Sequence, residues 1–290
     1  MDSSYKFLRL LFCYLLILSF TLSCAMPDDG DIRIALISDM HYADKPNQHN
    51  RHYTQSLEKA RQAIDTFNKN EADFLVLLGD NIDEIDKESD LTNLKSIDKV
   101  LARFSGERHY VLGNHDLGNL TKQEFIANSG GAGEAAHYSF SRAGYHFIVL
   151  DANFRQDGTE YSRGNFEWTD SYFPSAQLTW LQNELELSRL KGKKVMIFIH
   201  QMLCDTENEY YAVKNNDEIR AILEQSGNVT AVFQGHYHQG SYKKINGIHY
   251  VGIHPMVVGD TNAFAELTIS REGKIELIGY DRQPGMILKE

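Results

Sequence analysis

Five polar clusters in this chain each follow an apolar run, and their residue types suit divalent-metal chemistry. Ile32–Ser38 leads into Asp39-Met40-His41, Phe74–Leu78 into Gly79-Asp80-Asn81-Ile82-Asp83, and Arg108–Leu112 into Gly113-Asn114-His115-Asp116. Val195–Ile199 ends on His200, and Val229–Gln234 ends on Gly235-His236-Tyr237-His238. Carboxylates and imidazoles without thiolate suit Mn, Fe, Co or Zn, with Mg as a harder alternative. A single Asp-x-His or Gly-Asn-His is an ordinary set of turn residues. Five in succession, each after a strand-like run, point to one shared site. A divalent ion held there can polarise a bound oxygen and supply hydroxide from water near neutral pH.

The elements that must position these clusters alternate along the chain. The runs at 32–38, 74–78, 108–112, 146–150, 195–199 and 229–233 are short, apolar and rich in β-branched residues. Between the first two, Leu57, Ala60, Ile64 and Phe67 recur at helical spacing. Leu94, Ile97, Leu101 and Phe104 do the same, and Leu178, Leu181 and Leu185 follow a helix start at Pro174-Ser175. Near-continuous apolar strands separated by helices imply an α/β fold with buried sheet. Three strand-like runs between Ile248 and Ile278, with no helix among them, suggest a second sheet packed on the first. In an open sheet of this kind the carboxyl ends of parallel strands share one edge, where sites form.

The 290 residues carry 29 Lys+Arg against 40 Asp+Glu, a net charge of −11, which weighs against nucleic acid as a partner. Lys6 and Arg9 precede an apolar stretch from Leu10 to Leu22 with the layout of a secretory signal. Residues 1–23 are read as that signal, removed before Cys24, with 24–31 a tether and 32–290 a single domain. Thr21-Leu22-Ser23-Cys24 resembles a bacterial lipoprotein box, so Cys24 is a candidate lipid anchor in the periplasm or outer membrane. Ordinary secretion after Ala25 and an uncleaved anchor are the alternatives. Of Cys13, Cys24 and Cys204, at most one pair could survive processing, so no disulfide framework is expected.

Asp-x-His, Gly-Asp-x-x-Asp, Gly-Asn-His-Asp, a lone His and Gly-His-x-His together resemble the signature of calcineurin-like metallophosphoesterases. That resemblance implies an αββα sandwich, two packed mixed sheets flanked by helices, and a dinuclear metal centre. It implies that Asp39, His41 and His238 hold one metal, that Asn114, His200 and His236 hold the other, and that Asp80 bridges them. His115 would face the substrate phosphate, as would Asn114, with Asp83 orienting the His115 ring and Asp116 supporting from behind. Further stretches, Arg51–Leu57, Ala176–Leu181, Gly235–Tyr242 and Gly247 through Phe264, resemble the manganese-dependent ADP-ribose/CDP-alcohol diphosphatase branch. His41 is a departure, since animal members of that branch tend to carry Gln there. The implied reaction is hydrolysis of a diphosphate in a small nucleotide-derived substrate, with Mn the expected metal and Arg51 a candidate diphosphate ligand. A phosphomonoesterase, a cyclic-nucleotide phosphodiesterase and a metal-stabilised binding lipoprotein are the alternatives.

Overall fold

A computed structural model describes residues 30–133, 135–204 and 209–289. The expected signal and Cys24 lie outside the described residues. Strands β1 (Ile32–Ile37), β2 (Phe74–Leu77) and β3 (Glu107–Tyr110) run parallel, with helices α1 (Ser56–Lys69) and α2 (Lys87–Leu101) between them. Helix α3 (Lys122–Asn128) follows, opened by a reciprocal capping box between Thr121 and Glu124. Hairpin β4 (Tyr138–Arg142) and β5 (Tyr145–Val149) then begins the other sheet. Helix α4 (Ser175–Leu190), β6 (Lys194–Ile199), α5 (Asn216–Ser226), β7 (Val229–Gln234), β8 (Ser241–Ile245) and β9 (Ile248–Gly252) come next. The chain closes with β10 (Ala263–Ile269), β11 (Ile275–Asp281) and β12 (Met286–Leu288).

The strand order is β12-β11-β10-β1-β2-β3 in one mixed sheet and β4-β5-β6-β7-β9-β8 in the other. The runs after Ile248 therefore form no sheet of their own. β9 pairs with β7, whereas β10 and β11 extend the sheet of β1. The sandwich is as expected, but the membership of its layers differs, because pairing partners are chosen by tertiary packing and not by strand pattern.

Both faces of each sheet are covered, and this explains the continuous apolar runs. Along β1, Ile34 and Leu36 face Phe147, Phe198 and Phe233 of the opposite sheet, while Ala35 and Ile37 face Ala60, Ile64 and Phe67 on α1. Along β6, Met196 and Phe198 point between the sheets, and Ile197 and Ile199 meet Leu181 and Leu185 on α4. The result is a helix–sheet–sheet–helix stack with the carboxyl ends of β1, β2, β3, β6 and β7 along one seam.

One buried histidine in this stack serves stability. His109, on β3, lies flat on Phe140 with ring centroids 3.9 Å apart and a 2° interplanar angle, and burial pushes its pKa down to about 4. Its nearest carboxylate, the exposed Glu107, is 3.8 Å from Nε2. The unfolded imidazole titrates near its ordinary value, so stability from the neutral ring is complete above about pH 6.5 and is lost as pH falls towards 4. The full swing is roughly 3 kcal/mol. H109Q should flatten the dependence of unfolding free energy on pH between 4 and 6.5, measured by urea denaturation. An unchanged slope would show that His109 is not its source.

Candidate metal centre

The loops that carry the site are forced into rare backbone conformations. Asp39, His41, Asp80 and His236 have φ of 49°, 42°, 50° and 65°. Such values cost a residue with a Cβ of order 1–3 kcal/mol and persist only where the surroundings enforce them. Here the enforcement is a lattice of main-chain hydrogen bonds: Asp39 N donates to Gly79 O, His41 N to Asp80 O, and Gly235 N to His200 O. Gly79 has φ of 90°, and a Cβ there would sit 2.5 Å from His200 Nδ1. A Cβ at Gly113 would overlap the main chain of Asp80. The glycines preceding Asp80 and Asn114 are thus required by the close approach of strand ends.

Asp39, His41 and His238 converge, as do Asp80, His200 and His236. His238 Nε2 lies 3.3 Å from Asp39 Oδ1, and His41 Nε2 lies 3.7 Å from the same oxygen. In the second group His200 Nε2 is 3.0 Å from Asp80 Oδ2, which is also 3.5 Å from His41 Nε2. One carboxylate oxygen therefore stands between the two groups. His236 N donates to Asp39, tying the seam together.

The donor atoms are arranged for cations and not for each other. His200 Nδ1–H donates to Leu78 O at 2.8 Å, and His41 Nδ1–H to Asp83 Oδ2 at 3.0 Å, so each ring turns its Nε2 inward. Nε2 of His236 and both side-chain heteroatoms of Asn114 are buried without a hydrogen-bond partner among the described residues. Orphaned buried atoms are costly unless something else satisfies them. His41 Nε2 faces His238 Nε2 at 3.3 Å, a contact a shared cation would explain. The donor set fits two divalent ions.

Electrostatics agree. Burial opposes the charge on Asp80, but His200, His115 and His41 hold its carboxyl well below the usual range. Burial likewise opposes charge on His41 and His200, yet the neighbouring Asp39 and Asp83, and Asp80, respectively, raise each to about 9. His236, buried and beside His200, is pushed down to about 3. The buried carboxylates thus demand positive charge, which protons supply in the absence of metal and divalent ions displace.

The sequence-based role for Asp83 needs correction. Its Oδ1 is 3.8 Å from His115 Nδ1, beyond hydrogen-bond reach, and its oxygens are engaged by His41, Lys45 Nζ (2.7 Å) and Arg51 (3.2 Å). Glu84 holds His115 instead, with Oε2 at 2.6 Å from Nδ1. Both carboxylates approach His115 Nδ1, but the one within hydrogen-bond reach belongs to the residue next to that expected. D83N should therefore weaken metal binding by about 10–100-fold, as loss of a histidine's supporting carboxylate does, with kcat at saturating metal falling less. A drop in kcat with metal affinity intact would restore the original assignment.

Asp116 is buried, and its carboxylate accepts from the main chain of Gly113, Asn81 and Ile82, locking the loops of Asp80 and Asn114 together. His115 N donates to Asp80 Oδ1 at 2.8 Å, and the His115 ring borders a cavity of about 330 Å³ with Arg51, Asn114, Trp168, Tyr211 and His238. Every residue expected at the site is therefore in this cluster or on its wall, with Asp83 behind His41. Tyr211, Glu84 and Lys45 were not foreseen. The Trp168 and Tyr211 rings are 5.2 Å apart, and both lie near the His236 ring.

A two-sheet sandwich with carboxylates, imidazoles and an amide converging at its seam defines a dinuclear metal-dependent hydrolase. The profile of the calcineurin-like phosphoesterases matches residues 32–240, and the chain belongs to that family. The manganese-dependent ADP-ribose/CDP-alcohol diphosphatase of Oryza sativa subsp. japonica is 25% identical to it, over 85% of this chain and 90% of the rice protein. A 3',5'-cyclic-nucleotide phosphodiesterase of Nostoc is 24% identical over 76% and 77% of the two chains. A solved dimetal phosphatase from Danio rerio shares the fold with a TM-score of 0.79 at 21% identity, covering 89% of this chain and 98% of that one. The chain is a phosphoester hydrolase that works with two divalent metals.

Proposed function

We propose that the chain hydrolyses the diphosphate link of small nucleotide compounds of the ADP-ribose/CDP-alcohol type, releasing a nucleoside monophosphate. One observation carries this reading: the cavity joins the cluster of metal donors to an aromatic pair, Trp168 and Tyr211, on one side and to the Arg51 guanidinium on the other. A nucleobase can lie on the aromatic rings while the diphosphate crosses the cluster towards Arg51. The likeness to the rice diphosphatase over most of both chains supports the same substrate class.

In this assignment Asp39, His41 and His238 would hold one cation, Asn114, His200 and His236 would hold the second, and Asp80 would serve both. Mn is the metal the rice relative's name indicates. Bound there, the ions polarise the phosphoryl oxygens and bring the pKa of water near neutrality. Asn114 and His115 face the transferred phosphoryl group, and Arg51 fixes the adjoining one. His115, with Nδ1 tied to Glu84, presents its other ring nitrogen to the cavity and gives a proton to the leaving oxygen as charge develops on it.

The test is a rate comparison on Mn-loaded protein among ADP-ribose, 3',5'-cyclic AMP and p-nitrophenyl phosphate. ADP-ribose should give AMP and ribose 5-phosphate with the highest kcat/KM. A preference for cyclic AMP would favour the activity named for the Nostoc relative, and one for p-nitrophenyl phosphate a phosphomonoesterase.

A further inference from the structure

A second cavity, of about 340 Å³, adjoins the first, and Arg51 and His238 line both. Its other walls are Gln48, His49, Asn50, Tyr53 and Gln239. The wall is a tight turn: Gln48 and Arg51 exchange main-chain hydrogen bonds of 3.2 and 2.9 Å, and His49 has φ of 52°. The far side of the turn is fixed as well, since Gly259 N donates to Asn50 O at 2.8 Å and Arg51 pairs with Val258. The cradle is therefore held in place before any ligand arrives.

Its chemistry is that of amides. The side chains of Asn50 and Gln239 are exposed and make no hydrogen bond among the described residues, leaving donors and acceptors for a ligand. No carboxylate lines the cavity. Among the described residues that line it, Tyr53 is the one phenolic ring; it is buried, and Lys45 Nζ already sits 4.7 Å from its centroid, while the other rings are the imidazoles of His49 and His238. A quaternary ammonium needs the free face of a Trp, Tyr or Phe ring or a negative charge, and here it would meet neither and would lie beside the Arg51 cation. Hydroxyl groups, by contrast, find both donors and acceptors.

Resting on the diphosphatase reading above, we infer that this second cavity is the subsite for the group beyond the diphosphate, and that it selects polyhydroxylated groups, a sugar or a polyol, over quaternary-ammonium alcohols. Arg51 marks the point where the substrate passes from one cavity to the other.

The experiment compares CDP-glycerol with CDP-choline on the Mn-loaded full chain, which holds the nucleotide constant. In the unsubstituted protein kcat/KM should favour CDP-glycerol by about tenfold, the net worth of one or two hydrogen bonds formed with one substrate and not with the other. In the double variant N50A/Q239A the ratio should fall to within about threefold, mainly through a higher KM for CDP-glycerol. Equal rates in the unsubstituted protein, or a ratio untouched by the double substitution, overturn the subsite and leave the diphosphatase reading standing. If neither compound is cleaved the subsite falls, and the diphosphatase reading falls with it when ADP-ribose is inert too while bis(p-nitrophenyl) phosphate is still hydrolysed.

Discussion

D80N is expected to lower kcat by about three orders of magnitude or more and to reduce bound metal from two per chain. Asp80 Oδ2 stands 3.0 Å from His200 Nε2 and 3.5 Å from His41 Nε2, which belong to different donor groups, so its charge serves both. Asparagine has nearly the same shape and can keep the acceptor for His115 N, now at 2.8 Å, but it brings an N–H to where a cation should sit. Losing a shared anionic ligand costs several kcal/mol of transition-state charge stabilisation, and each 1.36 kcal/mol is tenfold in rate. Fold stability without metal should fall as well, because His200 and His41 lose the buried carboxylate that holds their protons. Metal analysis, kcat and a thermal melt of the metal-free form check all three. Retention of two metals with normal kcat would mean that Asp80 does not join the sites.

H115A should lower kcat by about 10²–10⁴-fold on a substrate with a sugar-phosphate leaving group, the usual contribution of a positioned acid. Metal content should stay near two per chain, since the His115 ring is not in either principal donor group. The deficit should shrink on bis(p-nitrophenyl) phosphate, because nitrophenolate leaves without a proton. That contrast separates proton donation from simple phosphate binding, which would cost both substrates alike. E84Q should reproduce a smaller part of the same loss, as the carboxylate 2.6 Å from Nδ1 fixes the orientation of the ring. Loss of metal in H115A would instead place His115 among the ligands, in the group it forms with His41 and Asp83.

Most of the site could be read from the chain because each donor follows an apolar strand directly, and strand ends in a layered α/β fold gather at one edge. What could not be read were distinctions that depend on which way a side chain points. Asp83 and Glu84 are neighbours of like charge, and only the loop's conformation decides that the first takes His41 and the second His115. Tyr211 reaches the cavity from a single 3-10 turn, Glu209–Tyr211, which has no hydrophobic period to announce it. Lys45 lies in an irregular loop, and its partner Asp83 is 38 residues away.

The fold shows the same division. The interior strands β1, β2, β6 and β7 announce themselves because both faces are buried. The edge strands β4 (Tyr-Ser-Phe-Ser-Arg) and β8 (Ser-Tyr-Lys-Lys-Ile) are polar and partly exposed, as edges exposed to solvent tend to be, and resemble loops in composition. Likewise, α2 stops at Leu101, so Phe104 continues the helical spacing but packs from the following turn.

The account rests on two divalent ions held at the seam between the sheets. Its most direct test is a titration of metal-stripped full-length protein with Mn²⁺, following ADP-ribose hydrolysis and bound metal together. Hydrolysis should be absent without metal, appear as the ions bind, and saturate at two per chain with AMP as a product. Undiminished hydrolysis in the stripped protein, or full activity with a single ion bound, would contradict it.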